Sequence, residues 1–240
     1  MQQIKAELAP TGALRAGINL ANFLLVSGKS AAGDPEGVAP DMAREIASRL
    51  GVPVKFVAYA SPGELADAAE ANVWDIGLIG AEPQRAEKIA FTPAYVEIEA
   101  TYLVPAGSKL ASIAEVDRPG IRIAVFGRSA YGLWLERNIK QATLVRGDSI
   151  DASYKLFIEE KCDALAGLKP RLLKDVQALP GARILDGRFS AVQQAIGTAR
   201  KNAAAIAFLE KFVAEAKASG FVAKLIARHK VQGLSVAAAS

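Results

Sequence analysis

The chain has 240 residues, 51% of them hydrophobic and 22% charged, a composition typical of globular rather than disordered proteins. The net charge is +4, but lysines and arginines are interspersed with acids, so no basic stripe indicates nucleic-acid binding. The excess fits either solubility or a bias towards anionic ligands. The only cysteine is Cys162 and the only histidine is His229. These counts exclude an intramolecular disulfide, a Cys/His zinc site and most histidine-dependent catalysis, and no cofactor is expected.

Two features of the sequence concern localisation. No run of about 18 apolar residues exists that could form a membrane-spanning helix. The N-terminal segment MQQIKAELAPTG also lacks the apolar core of a signal peptide. The sequence leaves two expectations open: periplasmic, if a signal peptide has been removed, or cytoplasmic.

Hydrophobic periodicity in the first part of the chain predicts a β-α-β-α-β order. The predicted elements are strand 13–19, a helix from Pro40 to Gly51, strand 54–58, a helix from the Ser61 capping box to about Asn72, and strand 75–79. Such an order predicts a mainly parallel sheet with right-handed crossovers.

The α/β pattern restarts after the break at 105–108. It predicts a short helix at 112–116, strand 121–125, a helix carrying Trp134, strand 142–145, a helix capped by Asp148 or Ser149, strand 162–166, helix 172–176 and strand 182–185. A long helix ended by Gly220 and one further helix follow. No tandem sequence repeat supports duplication.

Two extended crossings, near 100–105 and 193–198, bracket this second α/β part. The chain is therefore predicted to fold as α/β with two Rossmann-like lobes joined by two hinge strands, the second lobe inserted in the first. We expect lobe 1 to comprise 1–104 plus 195–240 and lobe 2 to comprise 105–194. Ligands favour clefts between domains.

One candidate ligand group follows the strand at 75–79. The strand breaks at Gly80, Glu82 supplies one acid, and Arg85 opens a short helical turn. In open α/β sheets, ligands bind beyond the carboxyl ends of the strands, and a guanidinium there can clamp a carboxylate or phosphate. The alternative is a surface arginine paired with Glu82 or Glu87.

The second candidate is the segment Gly127-Arg128-Ser129-Ala130, where a glycine turn leads into a helix. The first N–H groups of a helix and its dipole favour an anion, and the Ser129 hydroxyl can add one hydrogen bond. The alternative is an ordinary N-cap. Because each candidate follows a strand, one per lobe, both are expected to face one cleft and hold one carboxylate.

Several segments together resemble the periplasmic solute-binding proteins of polar-amino-acid ABC importers. They are LRAGIN, GVAPDMAREIASRLGVPVKFV, WDIGLIGAEPQRAEKIAFTPAY, GIRIAVFGRSA and CDALAG. The resemblance implies the type II periplasmic binding fold, an amino acid or small carboxylate as ligand, a membrane permease as partner, and usually a monomer. It also implies that Arg85 holds the α-carboxylate, helped by Ser129. Asn19 and Arg128 are further candidate ligand-binding residues.

The chain departs from this family at several ligand positions. Between Asp75 and Arg85 it is two residues shorter, and Gly80-Ala81-Glu82-Pro83 replaces the usual contacts. The acid for the ligand's ammonium falls on Leu168, and the stacking aromatic falls on Asn22, next to Phe23. Either Glu82 takes the ammonium or the ligand has none. Lys169 and Arg171 would suit a second carboxylate; the alternative is a solvated pair.

Three functions remain open at this point. The first is a binding protein that closes on its ligand by a hinge motion and then docks on a permease. The second is a dehydratase-like enzyme on the same scaffold, with Glu82 as general acid or base. The third is a sensor module similar to the effector domains of LysR-type regulators, although no helix-turn-helix precedes residue 13. The binding protein is the favoured reading, without catalytic residues.

Overall fold

The structure, a computed structural model, describes residues 1–238. Its helices are α1 Gln2–Leu8, α2 Val38–Leu50, α3 Pro62–Asp67, α4 Pro83–Ala86, α5 Ala130–Asn138, α6 Ile150–Glu159, α7 Lys169–Asp175, α8 Ala203–Ala218 and α9 Phe221–Arg228. Its strands are β1 Leu14–Asn19, β2 Gly28–Lys29, β3 Pro35–Glu36, β4 Val54–Tyr59, β5 Ile76–Gly80, β6 Ile89–Phe91, β7 Val96–Val104, β8 Arg122–Phe126, β9 Thr143–Gly147, β10 Ala164–Leu168, β11 Arg183–Ile184, β12 Ser190–Ala199 and β13 Ser235–Val236. The predicted mixed α/β fold is confirmed.

The chain divides into two compact units. Unit 1 contains Met1–Glu97 and the chain from Gln193 onward, and unit 2 contains Ile98–Val192. The sequence placed the bounds at 104/105 and 194/195. The structural bounds lie at 97/98 and 192/193 instead, inside β7 and β12, so each of these strands supplies residues to both units. A hinge role for the two strands stays a prediction.

The sheet of unit 1 has the strand order β4-β1-β5-β12. Strand β1 runs parallel to both β4 and β5, as the β-α-β-α-β pattern predicted. Strand β12 returns antiparallel to β5, which sets Gln194 opposite Gly80. Strand β6 pairs with the end of β12, and β13 pairs with the start of β7. The carboxyl ends of β1 and β5 therefore lie at the same edge of the sheet.

The sheet of unit 2 has the order β7-β10-β8-β9. Strand β8 is parallel to β9 and β10, whereas β7 is antiparallel to β10 and also carries β11. The carboxyl ends of β8 and β10 share one edge. The end of β7 lies at the opposite edge, beside the start of β10.

Each unit ties two parallel strands together with an aspartate that stands just before a strand. In unit 1 the Asp75 carboxylate accepts the backbone N–H of Arg15 at 2.8 Å, and the Asp75 N–H donates to the Arg15 carbonyl at 2.8 Å. In unit 2 the Asp163 carboxylate accepts the Arg122 N–H at 2.8 Å, and the Asp163 N–H donates to the Arg122 carbonyl at 2.9 Å. Asp75 and Asp163 therefore each stabilise the pairing of two parallel strands through hydrogen bonds.

Helix packing follows the apolar periodicity of the sequence. In unit 1 the α2 side chains Met42, Ile46 and Leu50 are buried, as predicted from their spacing of four residues. Helix α8 contributes a second buried stripe, which includes Leu209 and Phe212. The core of unit 2 is formed by Leu103, Ala124, Phe157, Cys162, Leu165 and Leu172.

Several local predictions need correction. Helix α7 begins at Lys169 rather than at Leu172. Pro170 is compatible with this start because it lies in the first turn, where backbone N–H groups have no acceptor within the helix, so the missing N–H of proline costs no hydrogen bond. Helix α2 begins at Val38, two residues before Pro40, after Gly37 with φ 142°. Helix α1 and the short strands β2, β3, β6 and β13 were not predicted. Of the two cap candidates before α6, Ser149 is the cap, since its Oγ accepts the Ala152 N–H at 3.0 Å.

Candidate functional site

Arg85 is held at the carboxyl end of β5 in unit 1. It lies in α4, and only 5% of the residue is exposed, so the alternative of a surface arginine is wrong. Its Nη1 donates to the Gly80 carbonyl at 2.7 Å, and Gly80 is the last residue of β5. The strand end therefore fixes the guanidinium that we predicted as the carboxylate clamp.

Glu82 stands between this strand and α4. It is the N-cap residue of α4, yet its side chain makes no capping bond. It is 9% exposed, and Pro83 after it starts the helix without needing an N–H acceptor. A carboxylate and a guanidinium thus lie three residues apart at one strand end, a pair that suits a polar ligand.

The candidates that follow β1 have different environments. Asn22 is 6% exposed, and its Oδ1 accepts the N–H groups of Leu24 at 3.2 Å and Leu25 at 3.3 Å. Its carbonyl oxygen is therefore used to close its own turn. Asn19 Oδ1 likewise accepts the Ala21 N–H at 3.1 Å. Phe23 is 39% exposed, which makes it the candidate of this segment with a large apolar surface to offer.

In unit 2, Ser129 is the N-cap of α5, as in the alternative given from the sequence, and its contact with a ligand stays a prediction. Its Oγ accepts the Gly132 N–H at 2.9 Å and donates to the Phe126 carbonyl at 2.7 Å, and the residue is 3% exposed. Since a hydroxyl has one proton, Ser129 would have to break its bond to Phe126 to donate to a ligand. The anion-binding capacity here resides chiefly in the backbone N–H groups of the first turn of α5.

The turn before α5 imposes backbone requirements that the sequence did not reveal. Arg128 has φ +62°, a left-handed backbone conformation that residues other than glycine adopt at a cost in free energy. At Gly132, a built Cβ would lie 2.5 Å from the Phe126 carbonyl oxygen and 2.9 Å from Ser129 Oγ. Glycine at this third helical position is therefore what lets the chain close the cap.

The two basic residues at the start of α7, Lys169 and Arg171, form ion pairs with carboxylates of the protein. Leu168, at the end of β10, is 7% exposed and apolar. Lys169 Nζ lies 2.9 Å from Glu99, and Arg171 lies 2.8 Å from both Asp151 and Asp175. Protein carboxylates thus pair with both cations, and a role for Lys169 and Arg171 with a second ligand carboxylate stays a prediction.

Gln194 is a polar residue that sequence reasoning missed. It is 4% exposed, lies opposite Gly80 in the antiparallel β5–β12 pair, and its Oε1 is buried with no hydrogen-bond partner. A buried unpaired acceptor is costly, so a polar partner for it is expected. The signal in the sequence was the polar pair Gln193-Gln194 inside an otherwise apolar strand.

The titration behaviour of unit 2 near α5 follows from burial. Burial raises the pKa of Tyr131 well above its ordinary range, although Ser129 and Arg171 oppose the shift. The phenol therefore stays neutral and cannot serve as a base at physiological pH. No group of three or more His, Cys, Asp or Glu side chains placed to hold a metal ion occurs among residues 1–238.

Solved structures with a similar fold include binding proteins and one sensor. A mutant of ArgBP from T. maritima matches with TM-score 0.76 and 20% identity, over 96% of this chain and 100% of that one. The ancestral amino acid-binding protein AncCDT-1, described as a precursor of cyclohexadienyl dehydratase, matches with TM-score 0.73 and 19% identity, over 92% and 97%. A histidine kinase sensor domain with similarity to periplasmic binding proteins matches with TM-score 0.76 and 18% identity, over 94% and 98%.

Sequence comparison identifies the family. No curated protein sequence gives a significant match to the chain. The family model for bacterial extracellular solute-binding proteins, family 3, matches residues 21–232. Within residues 1–238, every helix is too short or too polar to cross a membrane. The match extends over most of both units, and the chain therefore belongs to the family-3 bacterial extracellular solute-binding proteins.

Proposed function

We propose that this protein is the solute receptor of an ABC importer and captures an amino acid or a related small carboxylate. The observation that carries the proposal is Arg85, a buried guanidinium anchored to the Gly80 carbonyl at the carboxyl end of β5. A buried arginine at such a strand end suits bidentate contact with a ligand carboxylate. The similar folds of an ancestral amino acid-binding protein and of the substrate binding protein of an amino acid ABC transporter support the ligand class.

The rest of the ligand is proposed to contact two further groups. The first turn of α5 in unit 2 offers backbone N–H donors that suit an anionic group of the ligand. In unit 1, Gln194 Oε1 offers an unpaired acceptor next to the strand end that carries Arg85. A neutral acceptor there, together with Glu82, suits a ligand ammonium or hydroxyl.

Transport would require further partners. We propose that the closed receptor docks as a monomer on a membrane permease in the periplasm, and that β7 and β12 act as the hinges because they supply residues to both units. Family membership supports this location and partnership.

A second candidate is a dehydratase-like enzyme, favoured by one feature of the site. Glu82 is a buried carboxyl group three residues from Arg85, a position where it could act as a general acid or base. A sensor role is the third alternative, supported by the similar histidine kinase sensor domain. Prolonged incubation of the protein with its ligand, followed by mass analysis, separates binding from turnover: a receptor returns the ligand unchanged.

The test is a thermal-shift screen of amino acids, dicarboxylates and phosphate esters, followed by calorimetry of each hit. Arg85→Ala is expected to weaken binding by at least about thirtyfold, since removing one partner of a buried charged pair costs about 2–5 kcal/mol. Arg228→Ala is the matched control, because that arginine is also in unit 1 but its side chain is 67% exposed. Unchanged affinity in Arg85→Ala would show that the site is wrong.

A further inference from the structure

Unit 2 contains a cavity that the proposed receptor function does not use. It has a volume of about 270 Å³, close to the lower limit for small-molecule pockets. The residues that form its walls are Pro105, Ala106, Phe157, Ile158, Cys162, Leu179, Pro180 and Ala182, and Lys161 also lines it. The walls are therefore almost wholly apolar, with one cation.

The cavity lies at the sheet edge opposite the α5 end. Pro105 and Ala106 follow the end of β7, Cys162 precedes β10, and Ala182 precedes β11. Ser129, by contrast, follows the carboxyl end of β8, and Leu168 is the last residue of β10. A ligand in this cavity would therefore not compete directly with one held at the N-terminus of α5.

Lys161 is positioned by the end of α6. The Cys162 N–H donates to the Phe157 carbonyl at 3.1 Å, a Schellman closure that gives Lys161 its φ of +51°. The neighbouring carboxylates have other partners, since Glu159 lies 3.7 Å from Lys155, and Glu160 pairs with Arg122. Within the described part of the chain, Lys161 makes no ion pair, and its charge is available to a ligand.

Cys162 adds to the apolar character of the cavity. It is 2% exposed, and burial raises the pKa of its thiol, so the group stays protonated. Its thiol donates a weak hydrogen bond to the Leu156 carbonyl oxygen, which lies 3.8 Å from Sγ. The wall thus presents a neutral, weakly polar thiol that contacts hydrocarbon as readily as the surrounding side chains do.

We propose that this cavity binds an amphipathic organic anion, a medium-length aliphatic carboxylate, with its chain among Phe157, Leu179 and Pro180 and its carboxylate at Lys161. The apolar walls select the chain because each buried methylene favours binding. The single unpaired cation selects a carboxylate over an alcohol or an amine.

The probes are hexanoate, octanoate, decanoate, octan-1-ol and octylammonium, measured by calorimetry in Arg85→Ala protein so that the proposed carboxylate site is disabled. Affinity is expected to rise about fourfold for each methylene until the cavity is filled, and octanoate is expected to bind better than octan-1-ol. Lys161→Gln is expected to lose up to about fivefold for octanoate, and Lys161→Glu to reverse the preference towards octylammonium.

A filling variant locates the site. Ala182→Leu places extra side-chain volume in the cavity wall and is expected to abolish octanoate binding, whereas Leu173→Ala, an exposed residue of α7, leaves it unchanged. The proposal is overturned by equal binding of octanoate and octylammonium, by an affinity independent of chain length, or by no binding of any probe. Lys161 is exposed, so its variants are expected to fold even if the filling variant does not.

Discussion

Replacing Asp75 by asparagine is expected to destabilise the protein by about 2–3 kcal/mol, more than the same change at Asp163. Asp75 is 4% exposed, and both of its oxygens accept hydrogen bonds from Arg15: Oδ2 from the backbone N–H at 2.8 Å and from Nε at 3.1 Å, and Oδ1 from Nη2 at 2.7 Å. Asparagine keeps one oxygen but turns an N–H₂ group towards a donor. The loss is at least one hydrogen bond to a charged group, about 1.5–3 kcal/mol.

Asp163 supplies the internal comparison. Its Oδ2 accepts the Arg122 N–H at 2.8 Å, but the Arg122 guanidinium is directed to Glu160 instead. An asparagine oxygen can replace that single bond, so Asp163→Asn is expected to cost about 1 kcal/mol or less. The hydrogen bonds that Arg15 donates to Asp75 also raise the pKa of Arg15, which agrees with the stronger charge coupling in unit 1.

Urea unfolding measures both variants. Trp74 is buried in unit 1 beside Asp75, and Trp134 belongs to unit 2, so a Trp134→Phe background makes the fluorescence signal specific to unit 1. Circular dichroism follows the whole chain in parallel. Equal costs for Asp75→Asn and Asp163→Asn would refute the reasoning, because only Asp75 holds a guanidinium.

Three further changes test other details of the structure. Gly132→Ala is expected to destabilise the protein by at least about 1 kcal/mol in urea, because its Cβ would meet the Phe126 carbonyl oxygen, although glycine to alanine in a helix usually stabilises. Lys230→Gly is expected to stabilise by up to about 1 kcal/mol, since Lys230 has φ +51° after α9, whereas Lys224→Gly within α9 should destabilise by a similar amount. Asp41→Asn is expected to destabilise by about 1–2 kcal/mol at neutral pH. Burial opposes ionisation of Asp41, but the hydrogen bonds with His229 and Arg44 prevail and lower its pKa in the folded protein. The Asp41 carboxylate therefore contributes its full stabilisation above the ordinary aspartate pKa, and this stabilisation is lost as the pH falls through the lowered pKa of the folded state. Unfolding free energies measured from pH 7 to pH 2 should therefore converge for wild type and Asp41→Asn, and a constant gap would contradict this.

The order of the main elements could be predicted because it depends on local signals. Apolar alternation identified β1, β4 and β5, and hydroxyl caps identified the starts of α3 and α6. Strands β6 and β13 could not be found in the same way, because two or three residues do not show a period and their pairing partners are distant in sequence. Strand β6 pairs with β12 across about a hundred residues.

The candidate site was predictable only in part. Arg85 could be singled out because a polar residue just after a buried strand is a local pattern, and its contact with a ligand stays a prediction. The bond between Arg85 and Gly80 depends on how α4 turns back over the strand end, which the letters do not specify. Gln194 lies opposite Gly80 only through the antiparallel register of β12, and such a register is fixed by the whole sheet.

The roles of short polar side chains were the least predictable. Asn22 could have contacted a ligand or its own backbone, and in the structure its oxygen closes the local turn. Ser129 could have offered its proton outward, yet it donates to Phe126. In both residues the local hydrogen bond competes with the functional one, and the sequence is the same for either outcome.

One calorimetric cycle tests directly whether Arg85 contacts the carboxylate of the ligand. The best ligand from the screen and its carboxamide analogue are titrated into wild type and Arg85→Ala. The account predicts that wild type prefers the carboxylate by at least about thirtyfold and that Arg85→Ala loses most of this preference, since the two changes remove the same interaction. A preference that survives in Arg85→Ala would contradict the account, because the carboxylate would then be held by another group.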